Sequence, residues 1–199
     1  MPRQVPIDAG ADRRVRRSRA ALFAAAVRLV SERGTTAISL TELAEDADLS
    51  RQAVYSHFRD RDSVIVAAGI DLIERELFPA LTECDDEAWG EMTLLAARHL
   101  AHYRAYYRAV GTGPCAYPAK QAVLGAVSSL HNQVGGQAVR GFAGDDAVTF
   151  VVGGCFDLFT RWLDEGDDPL DPEAMADRLL GLAGQLFSGG LAESARRPR

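Results

Sequence analysis

Ser39-Leu40-Thr41-Glu42-Leu43-Ala44-Glu45-Asp46-Ala47-Asp48-Leu49-Ser50-Arg51-Gln52-Ala53-Val54-Tyr55-Ser56-His57-Phe58 is the stretch that decides the fold. Ser39 followed three residues later by Glu42 is a capping box, with serine as N-cap and glutamate at the third helical position. It predicts a helix over 40–47, with Leu43, Ala44 and Ala47 as its apolar stripe. Asp48-Leu49 makes a tight corner, and Ser50 is a second N-cap opening a helix over 51–58. Two short helices joined by a turn of about three or four residues form a helix-turn-helix unit. Such a pair cannot cover its own apolar faces, so the flanks must. Upstream, Leu22, Ala26, Leu29 and Val30 keep helical spacing over 13–33, and Gly34 closes that helix as a left-handed C-cap. Downstream, Asp60 caps a fourth helix running through about Leu77 to Pro79.

Beyond Pro79 the periodicity stays helical. Trp89, Met92, Ala96, His99, Tyr103 and Tyr106 form one stripe within a helix predicted over 86–110. Gly111, Gly113, Pro114 and Pro118 break it, and a helix over 120–139 follows, loosened at Gly135-Gly136. The next, over 145–165, is apolar on nearly every face. Asp171-Pro172-Glu173 caps a last helix with proline at its first position, running to about Phe187. There is no strand-period segment and no repeat. The expected fold is all-α: residues 1–12 disordered, a three-helix domain over 13–62, a larger helical domain over 63–188, and a frayed tail over 189–199.

Composition is that of an ordinary globular chain, with 47% hydrophobic and 25% charged residues. The net charge of −6 is unevenly spread. Arg13, Arg14, Arg16, Arg17 and Arg19 crowd the N-terminal part, while the remainder is acidic. A chain that touches phosphates at one end needs that asymmetry, although an arginine cluster near a terminus is also commonly a solvated tail. No apolar run approaches the ~20 residues of a bilayer span. The N-terminus lacks the pattern of a signal peptide, so the expected location is the cytoplasm, with no membrane partner. Cys84, Cys115 and Cys155 are far apart, which predicts free thiols rather than a disulfide frame or zinc site.

The segment from Ala21-Leu22-Phe23 through Glu32-Arg33-Gly34, Ser39 to Ala44, Leu49-Ser50 and Tyr55-Ser56-His57-Phe58, with Arg61 three positions on, resembles the TetR family of bacterial transcriptional repressors. The likeness covers roughly residues 15–66. It is fainter at Phe159 to Gly166 and the following Asp-Pro-Glu, which look like the link between that family's two dimerising helices. Asp48 stands where the family usually has glycine, and Arg61 where it usually has lysine. Aspartate tolerates the left-handed conformation better than most residues. The resemblance implies a homodimer that binds a double-stranded DNA operator through the helix-turn-helix and releases it when a small-molecule inducer, of unknown identity, enters the larger half.

In a helix-turn-helix the second helix enters the major groove and reads base edges from its first residues. Here those are Arg51, Gln52, Ala53, Ser56 and His57, with the N-cap Ser50 a further DNA-binding candidate ahead of them. Arginine suits guanine and glutamine suits adenine, while Ala53 offers only a methyl. The resemblance implies that Tyr55 and His57 touch phosphates, flanked by Thr41 and Arg61; Arg17 belongs to the basic first turns. A capped pair of short helices also occurs in proteins that do not bind DNA, and Tyr55 can equally place its ring in the core.

In the larger half, Phe78, Trp89, Met92, His99, His102, Tyr103, Tyr106, Tyr107 and Phe142 are the candidate ligand residues, with Tyr117 closing the site. They suit a flat or apolar molecule held by a few polar tips. For any single aromatic of the stripe, a plain core position is the more common reading. His99 and His102 share a helix face, but no third ligand at helical spacing completes a metal set, so neither metal nor cofactor is expected. Val151, Cys155, Phe159, Trp162, Leu179, Leu180, Ala183 and Phe187 are the candidate dimer contacts, in a bundle of two helices from each subunit. Gly153-Gly154, Gly181 and Gly184 would allow close helix approach; a monomeric core helix is the alternative. No nucleophile elbow, phosphate loop or dinucleotide fingerprint occurs, so the chain is expected not to be an enzyme. A small helical enzyme and an activator of the same fold are the competing functions.

Overall fold

A computed structural model describes residues 9–83, 89–133 and 145–185. Every regular element among them is helical: α1 (Ala9–Arg33), α2 (Leu40–Asp46), α3 (Arg51–Tyr55), α4 (Arg61–Leu72), α5 (Phe78–Glu83), α6 (Trp89–His102), α7 (Arg104–Thr112), α8 (Ala116–Gln133), α9 (Asp145–Glu165) and α10 (Pro172–Gln185). One π-helical turn, Ile73–Leu77, joins α4 to α5.

The local signals act where the spacing puts them. Gly34 adopts φ +62° and its N–H reaches the Val30 carbonyl, ending α1. Ser39 and Glu42 cap one another reciprocally at the start of α2. Asp48 takes φ +53° at the corner, the conformation that a glycine would adopt without cost. Ser50 accepts from the Ala53 N–H at 3.2 Å, and Asp60 from the Ser63 N–H at 2.8 Å. The Ser50→Ala variant (S50A) is therefore expected to lose about 1 kcal/mol of stability, read from the urea unfolding midpoint.

Several boundaries differ from the periodicity, among them the start of α8, which lies at Ala116 rather than at 120 and takes Pro118 into its first turn. Helix α1 begins at Ala9 rather than Arg13, so part of the segment expected to be disordered is helical. Helix α3 stops at Tyr55 rather than Phe58. There the Ser56 hydroxyl takes the Ala53 carbonyl, and the His57 N–H bonds to Val54 three residues back, which tightens the last turn. The fourth helix passes into the π turn before Pro79, which sits in the first turn of α5 where no N–H is required. The stripe expected to run unbroken over 86–110 divides at Tyr103, whose backbone leaves helical geometry at φ −103°, ψ 30°. Its hydroxyl donates to the Glu76 carboxylate at 2.9 Å, a tertiary contact that overrides local periodicity.

One buried cluster joins the first four helices to α7 and the start of α8. Leu22, Phe23, Ala26 and Val30 of α1 pack with Leu43, Val54, Val64 and Ile65, and the same cluster includes Tyr106, Val110, Cys115 and Ala119 of α7 and α8. Helix α9 packs on α7 and α8, and α10 lies along α6. Arg104 locks the end of α9 to the start of α7, donating to the carbonyls of Leu163, Gly166 and Asp167 at 3.1, 2.7 and 2.9 Å. Those carbonyls lie in the last turn of α9 or just after it, where helical partners run out. Among the described residues no helix is long and apolar enough to cross a membrane.

Candidate nucleic-acid interface

Helix α3 is presented to solvent. Val54 alone of its residues is buried, at 2% exposure, and anchors it to the core. Arg51, Gln52 and Ala53, with Ser50 ahead and Ser56 and His57 behind, are exposed. Tyr55 is 59% exposed, so its ring lies outside the core rather than in it. Phe58 is the aromatic that turns inward, meeting Phe23 edge-on with ring centroids 5.8 Å apart. Thr41 and Arg61, at the first turns of α2 and α4, are half-buried, and Arg17 is exposed on α1. The structure thus gathers the α3 residues on one outward strip with Ser50.

Arg59 was not among the sequence candidates, yet its side chain is 94% exposed in the turn leading out of α3. Its charge beside Phe58 was the available signal. Each acidic residue of α2 pairs with an arginine. Glu42 meets Arg33 at 2.7 Å and accepts from Ser39; Arg33, then the Ser39 N–H, hold its carboxyl down at about 2. Asp46 pairs with Arg28. Glu45 meets Arg51 of α3 at 3.2 Å.

Of the residues expected to hold a ligand, His99, His102, Tyr103, Tyr106 and Tyr107 are linked by ring contacts. Tyr106 is completely buried, and its hydroxyl donates to the Ile65 carbonyl of α4. Tyr107 meets His99 Nε2 at 2.8 Å, and Tyr103 bonds to Glu76 of the π turn. His102 packs edge-on against Tyr103, which also meets the His99 ring at 5.3 Å between centroids. Phe78 and Met92 are half-buried on α5 and α6, and Trp89 opens α6. Phe142 lies outside the described residues. Tyr117 is 73% exposed and lines a separate open groove of about 300 Å³ with Lys120, Phe156 and Arg161. Glu76 pairs locally with Arg75, but its partners His99 and Tyr103 lie 23 and 27 positions away, beyond the reach of local pattern.

Burial pushes the His99 pKa below the ordinary histidine range, Glu76 opposes that, and His102 adds to it. The folded state therefore keeps His99 neutral, whereas the unfolded chain protonates it at the ordinary pH. Stability contributed by that neutral state is present above the unfolded pKa and is lost as pH falls through the range below it. Thermal midpoints are expected to drop between about pH 7 and pH 5, and the His99→Gln variant (H99Q) to flatten that slope.

The candidate dimer residues divide. Val151, Cys155, Phe159 and Trp162 are half-buried along α9, where Phe150 remains 64% exposed. On α10, Leu179 is buried within the chain itself and Leu180 faces Gly90 of α6; Ala183 is half-buried. Phe187 lies outside the described residues. A side chain at Gly154, Gly181 or Gly184 would meet open space, while one at Gly153 would touch Lys120. Burial pushes the Cys115 thiol up to about 11 and also raises Cys155; both are free, and Cys84 lies outside the described residues.

Residues 22–68 match the family described as bacterial regulatory proteins, tetR family. No curated protein matches the sequence. Among solved structures, the chain resembles a TetR transcriptional regulator from Rhodococcus sp. RHA1, at TM-score 0.60 and 17% identity over 88% of this chain and 97% of that one. It also resembles the fatty acid degradation regulator FadR from Bacillus halodurans, at 0.55 and 15% over 96% and 98%. The dihydroxyacetone kinase operon activator DhaS is similar at 0.54 and 14% over 86% and 96%. The capped, outward α3 lies inside the matched segment: residues 22–68 are similar to the tetR family of bacterial regulatory proteins, and over 88% of its length the chain shares the fold of a solved TetR transcriptional regulator.

Proposed function

We propose that this protein is a transcriptional regulator that binds a palindromic DNA operator as a homodimer and is released by a small molecule held in its larger helical half. The observation that carries the DNA reading is the exposure of Arg51, Gln52, Ala53, Ser56 and His57 on a helix anchored by Val54. Arg51 and Gln52 have base-reading chemistry, and Ser50, Thr41, Tyr55, His57, Arg61 and Arg17 are assigned to phosphates around them. No catalytic role is assigned to any residue.

Dimerisation follows from geometry on the DNA. Two α3 helices must stand one turn apart, ~34–36 Å, to read both half-sites. The uncovered Phe150 and the open flank at Gly154 support α9 as the meeting face, with Val151, Cys155, Phe159 and Trp162 along it. From α10, Leu180 and Ala183 are the proposed contribution to the same bundle, followed in sequence by Phe187, while Leu179 packs within its own subunit.

Release runs through α4, which starts beside α3 and is gripped at Ile65 by Tyr106. A ligand among Phe78, Trp89, Met92, His99, His102, Tyr103, Tyr107 and Phe142 would displace α6 and α7 and carry α4 with them. It works only through unequal affinity for the bound and released arrangements. The similar fold of DhaS, an operon activator, favours one second reading, in which the same binding event activates transcription.

Selection of bound duplexes from a random pool, followed by salt-dependent binding of the winner, tests the reading. A palindrome is expected, with Arg51→Ala (R51A) costing ~1–3 kcal/mol at one base pair of each half-site. Recovery of no preferred sequence overturns it.

A further inference from the structure

The three pairings made by the α2 acids differ in direction. Glu42 and Asp46 turn back to Arg33 and Arg28 of α1. Glu45 turns forward, its Oε1 accepting from Arg51 Nη2 at 3.2 Å across the corner. Both partners are largely exposed, with side-chain exposures of 66% and 63%, and Arg51 is the first residue of the proposed base-reading helix α3. An exposed pair of this kind adds little to folding stability, because water screens it. Stability is therefore not a sufficient reason for a carboxylate to stand at the edge of a phosphate-facing surface, where it repels the backbone.

We propose that Glu45 is a positioning residue for Arg51 and a determinant of operator specificity. The guanidinium carries five N–H donors in a fixed plane. Giving one to Glu45 fixes the plane and leaves a parallel pair free for O6 and N7 of one guanine. Approach of the duplex removes water from the pair and strengthens it, so the orientation holds where it matters. The same negative charge repels phosphates wherever Arg51 finds no guanine, which penalises wrong sequences. Glu45 thus trades overall affinity for discrimination. This inference rests on the proposed role of α3 in base reading.

The test measures wild type, E45A, E45Q, R51A and E45A/R51A by fluorescence anisotropy at one fixed salt concentration. The ligands are the selected operator, its single-base variants and random-sequence duplex. E45A is expected to lower discrimination at the Arg51 base pair by roughly three- to tenfold, and at no other pair, while tightening binding to random duplex by a few-fold. E45Q keeps an acceptor without the charge. It should retain part of the discrimination and tighten random binding as much as E45A does. In the R51A background, loss of Glu45 should no longer change discrimination. Unchanged discrimination in E45A, an equal loss in the R51A background, or a loss at a different base pair would overturn the proposal while leaving DNA binding intact. A wild type with no sequence preference would overturn the regulator reading and this proposal together.

Discussion

The Ala53→Asp variant (A53D) is expected to lose operator binding by at least about a hundredfold while unfolding at the wild-type temperature. Ala53 is exposed in the middle of the α3 face, so the new carboxylate meets no core atom. It stands at the third helical position after the Ser50 cap, where a negative charge suits the helix dipole. The fold therefore has no reason to object. On DNA, the carboxylate faces phosphates and base acceptors, and like charges pressed together at an interface cost several kcal/mol. Each tenfold in affinity is about 1.4 kcal/mol, which sets the expected loss. Ala53→Ser (A53S), of similar size and uncharged, should bind within a few-fold of wild type. Operator titration by anisotropy, beside a thermal melt, checks both arms. Operator binding by A53D within a few-fold of wild type would show that another face of the protein meets the duplex.

The Tyr106→Ala variant (Y106A) is expected to lose about 3–5 kcal/mol of folding stability. Tyr106 is completely buried and lies between the α4 backbone and the larger helices. The ring approaches α4 because residue 69 is glycine: a Cβ there would stand 3.1 Å from the tyrosine hydroxyl. Truncation leaves a cavity bounded by helix backbone, which cannot easily collapse. Tyr106→Phe (Y106F) keeps the volume and removes only the hydroxyl bonded to Ile65, so its cost should be about 1–2 kcal/mol. Chemical unfolding of both variants separates packing from hydrogen bonding. Because one core cluster spans α1 to α8, Y106A should also weaken the DNA-binding helices, with no single transition confined to the larger half. A loss below about 1 kcal/mol for Y106A would remove Tyr106 as the link between the two halves.

Arg104 and Glu76 show what escaped the sequence. Arg104 reads as one more polar position on an amphipathic helix. Its function appears only because the end of α9, 59 to 63 residues away, arrives beside it. Glu76 likewise becomes part of a polar cluster only when Tyr103 and His99 are brought to the π turn. The aromatic stripe was legible as a stripe. Whether Tyr106 fills the core or lines a ligand site was not, because both use the same residue types at the same spacing.

The sequence by itself determined the all-helical class, the corner at Asp48, the caps at Ser39, Ser50 and Asp60, and the left-handed stop at Gly34. These are interactions between residues at most four apart, so their spacing in the chain is already their geometry. Only the tertiary structure decided that Val54 turns in while Tyr55 turns out, that Tyr106 grips α4, and that Glu45 reaches Arg51. Those outcomes depend on which helices meet and at what angle, and packing over long separations sets that angle rather than any local propensity.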